Sequence, residues 1–170
     1  MQLRIASLWN GQQASERDVA FVEVSRGDDE WIVEVDAPFY DDPAPPGPPG
    51  PTPGLWDFEV VEVMWLGREQ RYLELELSPH GHYLALQLEG VRNVARSDLR
   101  VRYDAAIDAG RFRGRARVSQ SLLPENWDRL NAFAIHGRGA ARSYLAWRGA
   151  PGPRPDFHRL ELFGQWLERC

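Results

Sequence analysis

Residues 72 to 88 read YLELELSPHGHYLALQL. Leu73, Leu75 and Leu77 alternate with Tyr72, Glu74 and Glu76, and after Ser78-Pro79-His80-Gly81-His82 the alternation returns as Leu84, Leu86 and Leu88. A period of two belongs to a strand, because successive side chains point to opposite faces. Pro79 cannot donate to a ladder and Gly81 admits a positive φ, so the break predicts a turn between two antiparallel strands. This reading places all six leucines on one buried face and Tyr72, Glu74, Glu76, Tyr83 and Gln87 on the other.

The same period recurs along the chain. Strands are expected at 19–24, 30–35, 58–66, 99–107, 111–119, 131–137, 142–148 and 158–164, with turn signals between them. Nine or ten short strands at such spacing predict an all-β fold, an antiparallel β-sandwich of jelly-roll-like, carbohydrate-binding-module type, with little helix. The helical expectations are a turn in SLLPENWDRL and a short final turn at GQWLER. Residues 41–54, DDPAPPGPPGPTPG, hold seven prolines and predict an exposed polyproline or irregular loop. A proline-motif ligand is the sharper alternative. The segment before it is too short to bury a core of its own, so residues 1–170 are expected to form a single domain.

Net charge is −5 and the pI is about 5.4, which argues against a general nucleic-acid binder. No apolar run approaches the roughly 20 residues needed to cross a bilayer, and the N-terminus lacks the apolar segment of a signal peptide. These features predict a soluble, cytoplasmic protein with no membrane partner, a monomer or weak dimer. Cys170, the lone cysteine, has no internal disulfide partner and does not look like a nucleophile. The basic side chains are all arginine, and Ala, Gly and Pro are abundant, a composition that points to a GC-rich, bacterial genome.

From residue 54 onward the blocks GLWDFEVVEVMWLG, YLELELSPHGHYL, RNV (92–94), LNAFAIHG (130–137), RSY (142–144) and PDFHRLELF (155–163) resemble a widespread uncharacterised protein family with members from bacteria to vertebrates. FEVVEVMW, YLELELSPHG and LNAFAIHG, in that order, are also distantly similar to family 9 carbohydrate-binding modules and DOMON-like sandwiches, with Ser78 where the modules prefer Asn. That resemblance implies an antiparallel sandwich with a binding site on one sheet face or its rim.

The side chains that could carry chemistry fall into two groups. Glu74 and Glu76, two apart on a strand, share a face at roughly 7 Å from one another. Glu62 breaks an apolar run on a neighbouring strand and needs a partner or an open face. This face reads as a solvated surface, as an acidic groove for sugar hydroxyls or guanidinium groups, or as a carboxylate pair for glycoside chemistry. Arg111, Arg113, Arg115 and Arg117 alternate as a ridge that could answer it. Trp56, Trp65, Tyr72, Tyr83, Tyr144 and Trp147 could stack on a sugar, with Trp56 the best placed at a rim, while Trp31 and Trp127 are expected in the core. His136, Arg142, Tyr144, Asp156 and His158 form the second group, read either as a shared pocket or as separate structural hydrogen bonds.

No metal or cofactor is expected. His80-Gly81-His82 offers only two ligands, no P-loop, GxGxxG, zinc quartet, HExxH or GxSxG occurs, and the Met–His pattern of haem-binding DOMON relatives is absent. The expected function is non-catalytic binding of a carbohydrate or small polar ligand at Trp56, Glu62, Tyr72, Glu74, Glu76, His136, Arg142, Tyr144, Asp156 and His158. The alternatives are an enzyme acting on a small polar substrate, and a protein-interaction domain without a small ligand.

Overall fold

The computed structural model describes residues 1–166. Fourteen strands occur among them: β1 (Gln2–Ile5), β2 (Ser7–Leu8), β3 (Ala20–Arg26), β4 (Glu30–Pro38), β5 (Gly50–Pro51), β6 (Val60–Leu66), β7 (Arg71–Leu77), β8 (His82–Glu89), β9 (Val94–Arg96), β10 (Arg102–Asp108), β11 (Arg111–Ser119), β12 (Arg129–His136), β13 (Ser143–Ala146) and β14 (Gly164–Gln165). The helical segments described are six 3-10 turns of three residues each. A five-stranded sheet runs β1-β3-β4-β11-β10, and a larger sheet runs β2-β13-β12-β6-β7-β8-β5, with β14 added to β12 and β9 to β8. All pairings are antiparallel except β5 with β8. The fold is the all-β antiparallel sandwich that the alternation predicts.

The two sheets differ in what covers them. In β4 every second residue is buried, the mark of a sheet with one wet face. In β6 all seven residues are buried, so the large sheet is covered on both sides. Its inner face packs on the small sheet through Val63, Trp65, Leu73 and Leu75 against Val22, Val33 and Phe112, in one cluster. Its outer face carries a second cluster, in which Leu55, Phe157, Leu160 and Phe163 lie over Val60, Met64, Leu84, Leu86 and Phe133.

The 72–88 hairpin forms, and its strands pair antiparallel. The Ser78 amide donates to the His82 carbonyl at 2.9 Å, and Gly81 turns the chain at φ +79°. The six leucines do not share a face, however. Leu73, Leu75 and Leu77 pair with Gln87, Ala85 and Tyr83, whereas Tyr72, Glu74 and Glu76 pair with Leu88, Leu86 and Leu84. Directly opposed residues share a face, so the expected register is wrong by one residue, which moves Leu84, Leu86 and Leu88 to the outer cluster and Tyr83 to the inner one.

Other expectations also need correction. The strand expected at 158–164 is a 3-10 turn, Leu160–Leu162, followed by β14. The turn expected in SLLPENWDRL is a 3-10 segment, Gln120–Leu122. The turn expected at GQWLER begins as β14, and its end, like Cys170, lies outside the described residues. Trp31 is buried, but Trp127 is only partly so, at the core's edge with its ring 4.9 Å from that of Trp31. The arginine ridge sits on the small sheet, where Arg115 pairs with Glu34 at 2.6 Å and Arg111 and Arg117 pair with Asp36 and Glu30. It answers the carboxylates of β4, not those of β7.

The proline-rich run closes one end of the large sheet. The Gly50 amide donates to Gly81 and the Thr52 amide to Tyr83, at 3.2 and 2.8 Å, with Pro51 between them. At the far end of β12 the chain leaves the sheet at Gly137, with φ +78° and its amide donating to Asp42 Oδ2 at 2.6 Å. A Cβ there would collide with the Ala141 carbonyl. Gly137→Ala is therefore expected to cost about 2 kcal/mol or more, a fall in Tm of roughly 5 °C. Gly139→Ala, also at positive φ but in open space, should cost only about 1 kcal/mol. Equal melting temperatures for the two variants would contradict the close approach.

Candidate ligand-binding cleft

On the outer face of the large sheet lies a cleft of about 360 Å³. Its floor is Glu62 of β6 and Glu74 of β7; Leu86, Leu88, Ile135 and Phe157 form apolar walls. Trp56, Asp57, Arg92, Val94, Arg142, Tyr144, Pro155, Asp156 and His158 complete the lining. Trp56 is 47% exposed at the mouth, while Glu74 is 5% exposed.

The strand pattern dictates the floor. Even-numbered residues of β6 and β7 face outward, so Glu62 stands directly beside Glu76, and Glu74 is the next residue on the same face. The covering segments then remove these carboxyls from water. Desolvation pushes Glu62 well above the ordinary carboxylate range; the Glu74 charge adds to the effect and Arg142 opposes it. Glu74 rises to about 7 through burial, with Glu76 and Arg92 drawing it part of the way back. Glu76, fully buried beneath the cleft, is raised by burial and then by Glu62 and Glu74. Glu76 therefore holds its proton at neutral pH, while Glu74 stands near the midpoint of its titration there.

A polar chain joins the floor to the rim. Tyr72 Oη accepts from the Arg92 amide at 2.9 Å and lies 2.7 Å from His158 Nδ1. His158 is held neutral, its pKa lowered to about 4 by burial and by Arg92, against the pull of Asp156. When the phenol donates to Nδ1, the ring proton sits on Nε2, which faces Glu74 Oε2 at 3.9 Å. Asp156 accepts from Arg92 at 2.6 Å and from the His158 amide at 3.0 Å. Burial opposes its ionisation, but those two donors outweigh it and hold the carboxyl below its ordinary value. Arg142 donates to the carbonyls of Trp56, Asp57 and Gly137, which ties the rim turn to the end of β12. Glu74 Oε2 is left buried with no hydrogen-bond partner.

The cleft thus brings Trp56, Glu62, Glu74, Arg142, Tyr144, Asp156 and His158 together, with Tyr72 and Glu76 directly behind. It does not include His136, the neighbour of Ile135 on β12, which points to the opposite face and stacks on Tyr40 at 3.5 Å. Trp65 and Tyr83 are core residues rather than stacking platforms, and Trp147 packs at the core's edge. The cleft adds Asp57, Arg92 and Phe157, whose sequence signal is their place in the GLWD, RNV and PDFH blocks. His82 bonds Thr52 at 2.8 Å, and His80 packs edge-on against Phe39. Among the described residues no group of three His, Cys, Asp or Glu is placed to hold a metal, and no helix is long and apolar enough to cross a membrane.

Comparison with known proteins follows the same lines. The fold is similar to a candidate carbohydrate-binding protein from Bacteroides uniformis, with a TM-score of 0.75, 12% identity, and coverage of 97% of this chain and 84% of that one. It is also similar to a family 9 carbohydrate-binding module from Caldicellulosiruptor kristjanssonii in complex with glucose, with a TM-score of 0.61, 13% identity, and coverage of 96% and 81%. At those identities the likeness establishes the fold alone. No family model matches. In sequence, the zebrafish UPF0462 protein C4orf33 homolog is 39% identical over 172 residues, covering 96% of this chain and 87% of its own length. The human UPF0462 protein C4orf33 is 39% identical, with coverage of 96% and 86%. These relatives, with those from mouse and rat, are vertebrate and overturn the bacterial source expected from the arginine-only composition. With 39% identity sustained over nearly its whole length, the chain belongs to the UPF0462 family.

Proposed function

We propose that the cleft binds a small polyhydroxylated ligand, a mono- or short oligosaccharide, and that the domain does so without turning the ligand over. The observation that carries this reading is Glu74 Oε2, buried without a partner and facing a cleft with apolar walls. A buried acceptor of that kind is satisfied by a ligand donor, and the surrounding Leu86, Leu88 and Phe157 suit the C–H faces of a sugar ring. The volume of about 360 Å³ suits a ligand of hexose size. The likeness to a module solved with glucose supports the same ligand class. A cytoplasmic location, a monomeric or weakly dimeric state and the absence of nucleic-acid partners complete the proposal, supported by the acidic net charge and the sparse cysteine.

Saturation-transfer NMR and calorimetry against a panel of monosaccharides test it. Binding of at least one hexose is expected. Trp56→Ala should weaken that binding roughly five- to tenfold through lost stacking area while leaving the melting temperature unchanged. Absence of transfer to any sugar at millimolar concentration would sink the proposal.

A further inference from the structure

Two carboxyls of the floor and a third beneath it face the same side of the sheet; Arg92 and Arg142 act on them through space, and neither hydrogen-bonds to them. Oε2 of Glu74 and both oxygens of Glu76 are buried without hydrogen-bond partners, and Glu62 stands directly across from Glu76. The guanidinium donors nearby are committed elsewhere: Arg92 to Asp156, and Arg142 to the backbone carbonyls of Trp56, Asp57 and Gly137. His158 Nε2, at 3.9 Å, is too far from Glu74 to serve as its donor. Apart from the carboxyls' own protons, the floor therefore offers acceptors without a donor beside them. A hydroxyl brings one donor together with its own lone pairs, whereas an ammonium brings three donors, no acceptor and a positive charge.

We propose that the cleft selects a small ligand bearing a protonated primary amine, an amino sugar in chemical class, with the ammonium seated on Glu74 beside Glu62. The proposal rests on the sugar-binding reading above and narrows it.

The charges around Glu74 allow this. Glu62 faces it from β6, Tyr72 and Glu76 from its own strand, Arg92 from the turn after β8, Arg142 from the start of β13, Asp57 from the rim turn, and Asp156 and His158 from the covering segment. The two arginines balance the two aspartates, and His158 is neutral. The floor carboxyls then decide the sign of the cleft. In the empty cleft burial keeps a proton on Glu74 up to about pH 7. An ammonium favours the ionised form, so the carboxylic acid of Glu74 loses its proton to solvent as the ammonium–carboxylate pair forms. Below that value the proton must be displaced and affinity falls; above it the carboxylate is already free.

Calorimetry with glucosamine, glucose and N-acetylglucosamine at pH 7.5 and 5.5, in two buffers of different ionisation enthalpy, tests the inference. Glucosamine should bind roughly tenfold or more tightly than the two uncharged sugars at pH 7.5. It should lose most of that preference at pH 5.5, and it should release protons on binding at that lower pH. Glu74→Gln should abolish the preference, and the wild-type pH dependence stands independently if that variant fails to fold. Equal affinity for glucosamine and glucose, or a preference for glucosamine with no pH dependence, overturns the amine inference and leaves the sugar reading standing. Failure of all three sugars to bind at either pH overturns the amine inference, while the sugar reading falls only when the whole monosaccharide panel fails.

Discussion

Raising the pH from 6.5 to 9 is expected to lower the melting temperature by roughly 5 °C per pH unit. Carboxyls of the unfolded chain titrate near the ordinary value of 4.5, whereas burial holds Glu62 well above it, Glu76 up to about 11, and Glu74 and Glu59 near 7. An acid whose folded pKa is raised stabilises the fold fully below the unfolded value, and that contribution is lost as pH rises through the window between the two. Histidines oppose this at the acid end. His158 is neutral in the fold down to about pH 4, and burial lowers His136 and His82 as well, so their contribution grows as pH rises toward 6.5. Above 6.5 the unfolded chain's histidines lose their remaining charge within about one pH unit, after which the carboxyls alone set the slope. Glu59 and Glu74 finish near pH 7, leaving Glu76, worth up to about 1.4 kcal/mol per pH unit, with Glu62 adding in the same direction. Glu76→Gln supplies a neutral isostere of the protonated acid and should flatten the profile without harming the fold at pH 6.5. Scanning calorimetry at pH 6.5, 7.5 and 8.5 measures it; a wild-type profile that stays flat or rises would show that these carboxyls are hydrated.

Trp65→Ala should be the most damaging single truncation, at about 4 kcal/mol and a Tm lowered by roughly 10 °C. Trp65 is fully buried between the sheets, paired with Leu73 on one side and Leu130 on the other. Its indole Nε1 has no acceptor. Trp65→Phe keeps most of the packing and removes an unpaired buried N–H, so the two changes offset and the cost should be only about 1 kcal/mol. Denaturant titration of both variants reads the difference. A phenylalanine variant as unstable as the alanine one would mean that the indole nitrogen has a partner after all.

Alternation revealed the strands, because one residue per side is a property of the backbone alone. The phase of one strand against the next is not. A polar face identifies register only where that face meets water, and β7 and β8 are buried on both sides, so leucines on either face look alike in sequence. Glu62 was legible for the converse reason: a carboxyl inside VVEVMWL has to be explained, and it lies on the cleft floor. Glu74 and Glu76 were correctly placed on one side of the sheet, but not as a solvated surface. Their cover comes from Phe157, Leu160 and Phe163, spaced by three in a segment whose alternation reads as a strand but which folds as a 3-10 turn. His136 stands next to Ile135 of the cleft wall, yet one step along β12 reverses its direction. Nor does a sequence say which sheet a strand joins, which is why the arginine ridge was set against the wrong carboxylates.

The outer edge of β8 has a consequence for how the molecule meets its own copies. An uncovered strand edge is a template on which another chain can crystallise as cross-β. Here β5 occupies the start of that edge and β9 its end. On β5 itself an incoming strand meets Pro51, which offers no amide hydrogen, and the run from Pro43 to Pro53 supplies six more such positions next to it in sequence. The proline run is thus a chain terminator for the sheet itself, ending its lateral growth at the boundary of one molecule.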